Sequence, residues 1–247
     1  MRSLAVFSVK GGVGKSALAV NLAHAAATIS ARRTLLWDLD AQGAATYTLR
    51  LSAKPNASAR RGFAGEAELA DLIQASDFAR LDVLAADKSL RQLDKQLVAD
   101  DKAKRLKKLI KGFEKDYDRL ILDCPPGLTE LADQIFRAVD LLVVPLLPSP
   151  LSARAFDQLI EHLARHHKGA APAVLPVFTM VDRRKSLHKT TVGANPDRAT
   201  IPYAAAIETM AATRKPVLAS SPSSAAARAF ATLWTDVERV LAKLPES

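Results

Sequence analysis

Short apolar runs alternate along the chain with longer segments in which apolar residues recur every three or four positions. The runs cover residues 4–9, 34–37, 81–84, 120–122, 141–147 and 173–179. Their near-continuous hydrophobicity is typical of strands that are buried on both faces. The periodic segments, which have the spacing of amphipathic helices, are residues 15–30, 67–74, 102–115, 130–138, 153–167 and 225–244. The alternation predicts an α/β fold, with a mostly parallel twisted sheet covered by helices on both faces.

The composition gives no reason to divide the chain into more than one domain. The chain has 247 residues, of which 49% are hydrophobic and 25% are charged, as in ordinary globular proteins. We find no internal repeat. The polar loops 53–65 and 185–198 are long enough to have functions of their own. We therefore predict a single domain spanning residues 1–247.

Charge and cysteine content limit which partners, metal sites and cellular compartment are compatible with the chain. The formal net charge is +9, which favours a polyanionic partner such as nucleic acid or an anionic membrane surface. Cys124 is the only cysteine, so one chain forms no disulfide and no multi-cysteine metal site. The N-terminal residues lack the pattern of a signal peptide, and the apolar run 141–147 is far too short to span a membrane. We expect a cytoplasmic protein.

A glycine-rich segment joins the first predicted strand to the first predicted helix. It reads Lys10-Gly11-Gly12-Val13-Gly14-Lys15-Ser16, followed by Ala17. Glycines let backbone amides surround phosphate oxygens, and a helix N-terminus adds free N–H donors. Lys15 would reach the β- and γ-phosphates, and the Ser16 hydroxyl would coordinate Mg²⁺. The strict phosphate-loop pattern has glycine where Val9 stands, which leaves a purely structural turn as the alternative.

This segment resembles the deviant Walker A motif of the ParA/MinD family of ATPases. The resemblance implies that the chain binds ATP and Mg²⁺, with residues 10–17 as the nucleotide-binding segment. In that family the first lysine, here Lys10, reaches the partner's nucleotide across a homodimer that encloses ATP. A second cation near the phosphates neutralises charge that develops during transfer. The resemblance therefore gives Lys10 and Lys15 catalytic roles.

Two carboxylates follow the second predicted strand. Strand alternation places Asp38 and Asp40 on one face at its carboxyl end, where parallel sheets bind ligands. The run resembles the family signature Asp-x-Asp-Pro-Gln-Gly, with Ala41 in place of proline. The resemblance implies that Asp40 positions or activates the attacking water and that Asp38 lies near the magnesium. Capping of the next helix is the alternative.

A third carboxylate ends the strand at 120–122. Asp123 is followed by Cys124 and a Pro-Pro-Gly turn, which resembles a Walker B strand that delivers one carboxylate beside magnesium. A buried strand that ends in a turn, with Asp123 as a cap, is the alternative. We expect Cys124 to be a packed small side chain.

The resemblance also suggests residues at the base end. Met180 and Asp182 follow the strand at 173–179 and would touch adenine, while Pro202 would cover the base from the other side. Ordinary strand-end packing explains these three residues equally well.

Basic residues are dense in the last third of the chain. ParA-like dimers bind DNA without sequence preference through such late regions, through phosphate contacts alone. The candidates are Arg183, Arg184, Lys185, Arg214, Lys215 and Arg228. A solvated charged loop is the alternative.

The function that the resemblance implies is a slow ATPase coupled to a switch between monomer and dimer. The ATP dimer would bind nucleoid DNA, and a stimulating partner or adaptor protein would release it, moving a DNA or protein cargo. One alternative is a membrane-cycling ATPase of the MinD type, for which the last predicted helix would have to insert in a bilayer. We expect that helix to dock on the core instead, without stable membrane association. The other alternative is a biosynthetic ATP-dependent ligase of the same superfamily.

Overall fold

A computed structural model describes residues 1–55, 58–66, 68–93, 95, 97 and 104–245. Its strands are β1 (Arg2–Val6), β2 (Thr34–Asp38), β3 (Ile73–Ala75), β4 (Leu81–Leu84), β5 (Arg119–Asp123), β6 (Leu141–Leu146), β7 (Ala173–Val181) and β8 (Thr200–Pro202). They form one sheet in the order β3-β4-β2-β5-β1-β6-β7-β8. Only β3 and β4 pair in antiparallel fashion. The expected mostly parallel sheet is confirmed.

Helices follow most strands. Those with both ends described are α1 (Lys15–Thr28), α2 (Ala44–Thr48), α3 (Ala59–Ala64), α4 (Arg105–Lys111), α5 (Glu130–Ala138), α6 (Pro150–His166), α7 (Ser186–Gly193), α8 (Ala205–Glu208), α9 (Met210–Thr213), α10 (Val217–Ser220) and α11 (Ala225–Lys243). Single 3₁₀ segments span Ala70–Leu72 and Lys88–Gln92. Hydroxyl side chains cap several helices; for example, Ser149 accepts from the Ser152 N–H at the start of α6.

The central strands send alternate side chains into two hydrophobic cores, one on each face of the sheet. In β1, Ala5 belongs to one core, whereas Leu4 and Val6 belong to the other. Apolar residues of α4, α5 and α6 complete the first core, and those of α1 and α11 complete the second. Burial on both faces explains why the strands read as continuous apolar runs.

The last helix, α11, packs on the sheet along its whole apolar stripe. The stripe is buried and consists of Phe230, Leu233, Trp234, Val237 and Leu241. The Trp234 indole N–H donates to the Ser30 hydroxyl at 2.8 Å, and Arg119 makes a two-pronged ion pair with Glu238, both contacts at 2.8 Å. Among the described residues, none of the helices has both the length and the apolar character to cross a bilayer.

Two expected helices differ from the structure. Residues 67–74 were predicted as a helix, which is wrong for the described part: one 3₁₀ turn is followed by β3. Leu69 and Leu72 have helical spacing, but Ile73 and the next two residues pair with residues 82–84 of β4 and form the edge strand, so pairing overrides a weak pattern. The expected helix 102–115 is shorter, because α4 ends at Lys111 with Gly112 as its C-cap; residues 102 and 103 lie outside the described residues. Strand β8 was not anticipated.

Candidate functional site

The loop between β1 and α1 has the backbone of an anion cradle. Gly12 and Gly14 have φ angles of 73° and 88°, in the left-handed region that favours glycine. Gly14 precedes the first residue of α1, where no side chain caps the helix and no acidic residue occupies the first turn. The first N–H groups of α1 are therefore open to an anion. The Val13 carbonyl accepts a hydrogen bond from the Thr179 hydroxyl at 2.9 Å, which ties the loop to β7.

This loop forms one wall of a cleft of about 460 Å³. The cleft is lined by residues from three distant segments, namely Gly11, Gly12, Gly14, Lys15, Ser16, Ala17, Asp40, Gln42 and Pro126. Lys15 is the cation of this lining, and it is only 7% exposed. A cationic side chain that lines a cleft together with a glycine-rich loop is an arrangement that binds phosphate groups.

Lys10 lies apart from this lining. It borders a neighbouring small pocket with residues of β6 and α6 such as Leu146, Ser152 and Phe156. Its N–H donates to the Ser8 hydroxyl at 3.3 Å. Lys10 is thus next to the phosphate loop in sequence but is not among the residues that line this chain's own cleft.

Asp123 is a buried carboxylate without ordinary partners. It ends β5, aligned with Val6 of β1 and Asp38 of β2. Its two carboxylate oxygens are buried, and neither has a well-formed hydrogen bond within the described residues. Burial, and next the charge of Asp38, raise its pKa well above the ordinary value, while the Ser16 hydroxyl and then Lys15 act in the opposite direction. An orphaned carboxylate beside a hydroxyl is an oxygen site that suits a hard divalent cation.

Asp38, in contrast, is fully hydrogen-bonded. Its Oδ2 accepts from the Thr46 N–H at 2.9 Å and from the Thr46 hydroxyl at 2.8 Å. Its Oδ1 accepts from the Asp40 N–H at 3.2 Å. Burial raises the pKa of Asp38 to about 6, against the lowering effect of these bonds. Nothing in the sequence predicts this role for Thr46, because a threonine eight residues downstream carries no recognisable signal.

Asp40 is the carboxylate that reaches the cleft. It is half-buried, and within the described residues its carboxylate accepts one hydrogen bond, from the Gln42 N–H to Oδ1 at 3.0 Å. Asp38 at the end of the strand and Asp40 in the turn beyond it therefore have different environments, although sequence alternation alone treats them alike. One is locked by Thr46, and the other lines the cleft.

A second, apolar pocket of about 230 Å³ begins at Gly14. Met180 and Pro202, two of the residues expected at the base end, both line it, together with Ala17, Leu18, Thr179, Ile201, Tyr203, Ala204, Ile207, Glu208 and Phe230. Met180 has a φ of 52°, an uncommon backbone for a non-glycine residue. Asp182 does not line this pocket. Its carboxylate pairs with Arg184 through two contacts of 2.9 Å, and those contacts hold its pKa well below the ordinary value.

Comparison with known proteins relates this arrangement to a family. A family model described as an AAA domain, AAA_31, matches residues 1–174. The sporulation initiation inhibitor protein Soj of Bacillus subtilis (strain 168) is 32% identical over 189 residues, covering 74% of each chain. The chain belongs to the ParA/MinD family of P-loop ATPases.

Solved structures share the fold of this family member. The ATP complex of a Cyanothece McdA variant has a TM-score of 0.84 at 18% identity, covering 100% of this chain and 98% of that chain. The cell division ATPase MinD of Pyrococcus furiosus has a TM-score of 0.80 at 22% identity, covering 97% and 99%. At these identities the likeness supports the fold alone.

Five of the six basic candidates of this ParA/MinD-family chain are exposed, and the sixth, Arg214, packs against another side chain. Arg183, Arg184 and Lys185 are exposed between β7 and α7, although Arg184 is paired with Asp182. Lys215 and Arg228 are exposed farther along the chain. Arg214 is held in place: its Nε donates to the Tyr47 carbonyl at 2.9 Å, and its guanidinium stacks over the Tyr47 ring at 4.4 Å. The structure therefore gives Arg214 a packing role, which sequence analysis did not anticipate.

Proposed function

We propose that this chain is a ParA-like ATPase whose ATP-bound homodimer binds DNA without sequence preference and partitions or positions a DNA or protein cargo. The observation that carries the proposal is the cleft itself. A glycine cradle, a buried lysine and the carboxylate of Asp40 line it, and Ser16, which also lines it, lies beside the buried carboxylate of Asp123. ATP hydrolysis requires each of these chemical groups at one place.

In this proposal the nucleotide lies across both pockets. The amides of residues 11–17 and the Lys15 ammonium hold the phosphates, and the apolar pocket lined by Met180 and Pro202 takes the base. Gly14 and Ala17 line both pockets, so one extended ligand can occupy them together. Because Asp182 is paired with Arg184 outside the apolar pocket, we assign it no direct part in binding the base.

Mg²⁺ would be held by Ser16 and by Asp123, directly or through water. The fit rests on the orphaned oxygens of Asp123, which a cation would satisfy. Asp38 would lie near the Mg²⁺ without binding it directly, since its Oδ2 already accepts two hydrogen bonds from Thr46. Asp40 would orient the attacking water. We propose that turnover is slow until a partner protein stimulates it.

Lys10 would complete the site of a second subunit. Its place outside this chain's own cleft supports a role across a dimer interface. We expect Lys10→Ala to bind ATP with Mg²⁺ normally but to remain monomeric, as measured by light scattering on an Asp40→Ala background that preserves ATP. Lys107→Ala, an exposed lysine on α4, is the control. A Lys10→Ala protein that still dimerises with ATP would remove the role in trans.

DNA binding would use the exposed basic residues 183–185, 215 and 228, and it would place the ATP-bound protein on the nucleoid within the cytoplasm. The test compares two charge reversals of equal size in the presence of ATP. Arg183→Glu with Lys185→Glu should abolish binding to arbitrary duplex DNA, and Lys107→Glu with Lys108→Glu on α4 should not. Wild-type binding should weaken steeply as salt rises from about 50 to about 200 mM, because phosphate contacts release counterions and such binding loses affinity as salt increases. Wild-type protein that binds no DNA with ATP would refute this part of the proposal.

The membrane-cycling alternative finds little support in α11. Insertion would require the helix to leave the core, exposing Phe230, Leu233 and Trp234, which are now buried. Pelleting with anionic liposomes, with and without ATP, separates the two functions, because only the membrane-cycling protein should pellet with lipid. The ligase alternative has no specific observation in its favour among the described residues.

A further inference from the structure

Three of the chain's five histidines lie within six residues, at the end of α6. Two of them, His162 and His167, meet Asp133 of the neighbouring helix α5. Each places its Nε2 at 2.7 Å from the same carboxylate oxygen, Asp133 Oδ1. None of these residues lines the nucleotide cleft or the apolar pocket. The cluster is therefore unexplained by the proposed ATPase function.

The cluster is partly shielded from water. The His167 side chain is 1% exposed, and those of His162 and Asp133 are 19% and 21% exposed. The other ring nitrogen of His167, Nδ1, is buried and has no partner in the part of the chain that the structure describes. The Nε2 side of the ring is thus where His167 gains its polar contact, and that side faces the shared oxygen.

The three ligand atoms match the donors of a transition-metal site. One atom each from Asp133, His162 and His167 lies within 4.8 Å of the others. Two imidazole nitrogens and one carboxylate oxygen suit zinc-like ions, whereas Mg²⁺ prefers oxygen ligands alone. Tetrahedral bonds of about 2.1 Å need ligand atoms about 3.4 Å apart. The two 2.7 Å contacts would therefore each open by about 0.7 Å when one cation takes the place of the hydrogen bonds, and the third separation, at most 4.8 Å, would close by at most about 1.4 Å.

We propose that Asp133, His162 and His167 form a binding site for one zinc-type transition-metal ion that joins α5 to the end of α6. His166 can complete the coordination. It lies one helical turn after His162, its ring centroid is 4.6 Å from that of His162, and it is exposed. Water takes the fourth position otherwise. The site is structural, because it links two helices and none of its ligands reaches the cleft.

The test uses the full-length protein without a histidine tag, stripped with a chelator and titrated with Zn²⁺ by calorimetry. Wild-type protein should bind one equivalent per chain, and excess Mg²⁺ should not compete. His162→Asn and His167→Gln should each weaken zinc binding by more than about 100-fold, since even loss of an outer partner costs 10–100-fold. His188→Gln, which removes a histidine of α7, should bind zinc as wild type does.

Further measurements keep the test decisive. Circular dichroism of the metal-free variants shows whether they fold, and if His167→Gln does not, the partly exposed His162→Asn and Asp133→Asn carry the test. Co²⁺ should give visible absorption typical of tetrahedral coordination in wild type alone. Lys15→Ala should still bind zinc, so failure of the ATPase proposal would not be mistaken for failure of this one. Absence of stoichiometric zinc binding, or equal affinity in the ligand variants, would show a hydrogen-bonded cluster only and would overturn the proposal.

Discussion

The phosphate end and the base end of the candidate site are built in different ways. At the phosphate end, Asp123 ends β5, Asp40 lies two residues after β2, and Lys15 begins α1 after the loop that follows β1, so the sheet order brings the three segments together. At the base end, apolar side chains come from α1, β7, β8, α8 and α11. The first region depends on charge at fixed points, and the second depends on how late segments of the chain pack.

The two regions should also differ in the free energy of binding that a single side chain contributes. A charged hydrogen bond in a buried site contributes about 1.5–3 kcal/mol, whereas a partly buried apolar side chain contributes about 1 kcal/mol by area. We therefore expect large effects from single changes at the phosphate end and small, additive effects at the base end. Variants of both regions test this contrast directly.

The largest effect should follow removal of Lys15. Lys15→Ala deletes the buried cation of the cleft, so we expect affinity for ATP with Mg²⁺ to fall by at least about 100-fold. Fluorescent-nucleotide titration measures it, with Lys107→Ala as control and circular dichroism to show that the variant folds. A folded Lys15→Ala protein with unchanged affinity would contradict the assignment of the phosphate end.

Removal of Asp40 should separate catalysis from binding. In the part of the chain that the structure describes, its carboxylate accepts one backbone N–H, so Asp40→Ala should leave the cleft intact. We expect hydrolysis to fall by at least about 100-fold, the scale of a lost general base or water-positioning group, and the ATP-bound dimer to accumulate. Phosphate release and light scattering measure the two effects. Asp71→Ala, an exposed aspartate outside the cleft, should turn over normally; rapid hydrolysis by Asp40→Ala would remove its role.

The buried charge of the phosphate end should also cost stability in the absence of metal. Burial raises the pKa of Asp38 from the ordinary 3.8 to about 6, so between these pH values the folded state holds more protons than the unfolded state. The contribution of Asp38 to the free energy of unfolding is therefore fully present below about pH 4 and is lost as pH rises through 6. The loss is at most about 3 kcal/mol.

Denaturant unfolding without Mg²⁺ at several pH values measures this loss. Relative to Asp38→Asn, wild-type protein should lose stability from pH 4 to pH 7, values that bracket the two pKa values. Parallel curves for the two proteins would show that Asp38 does not titrate in this range.

The two regions also differ in how many of their residues could be predicted from the sequence. The glycine loop, Asp38, Asp40 and Asp123 were identifiable because each directly follows a continuous apolar strand, and parallel strand ends share one edge. Fold class followed from the same strands. Thr46, which fixes Asp38, was not identifiable, since its role arises from the way α2 turns back onto β2.

At the base end, candidate residues could be predicted from the sequence, but which of their side chains line the pocket could not. Met180 and Asp182 were equal candidates, yet only Met180 lines the pocket, and a short-range ion pair to Arg184 holds Asp182 elsewhere. Ile207 and Phe230 gave no local signal of facing a pocket, because their positions depend on the docking of α8 and α11. The β3 error has a similar cause: three residues at a sheet edge adopt the structure that pairing imposes.

The smallest effect, and the sharpest test of the contrast, should come from Ile207. This side chain is half-buried and lines the apolar pocket, so Ile207→Ala should weaken ATP binding about fivefold, the equivalent of about 1 kcal/mol. Inorganic tripolyphosphate has no base, and its affinity should therefore not change in this variant, whereas Lys15→Ala should lose affinity for both ligands. Competition titrations measure the two affinities, with Leu187→Ala, an exposed leucine of α7, as control. If Ile207→Ala weakened both ligands alike, the pocket would act on the fold of the phosphate loop and not on the base, and the separation of the two ends would fail.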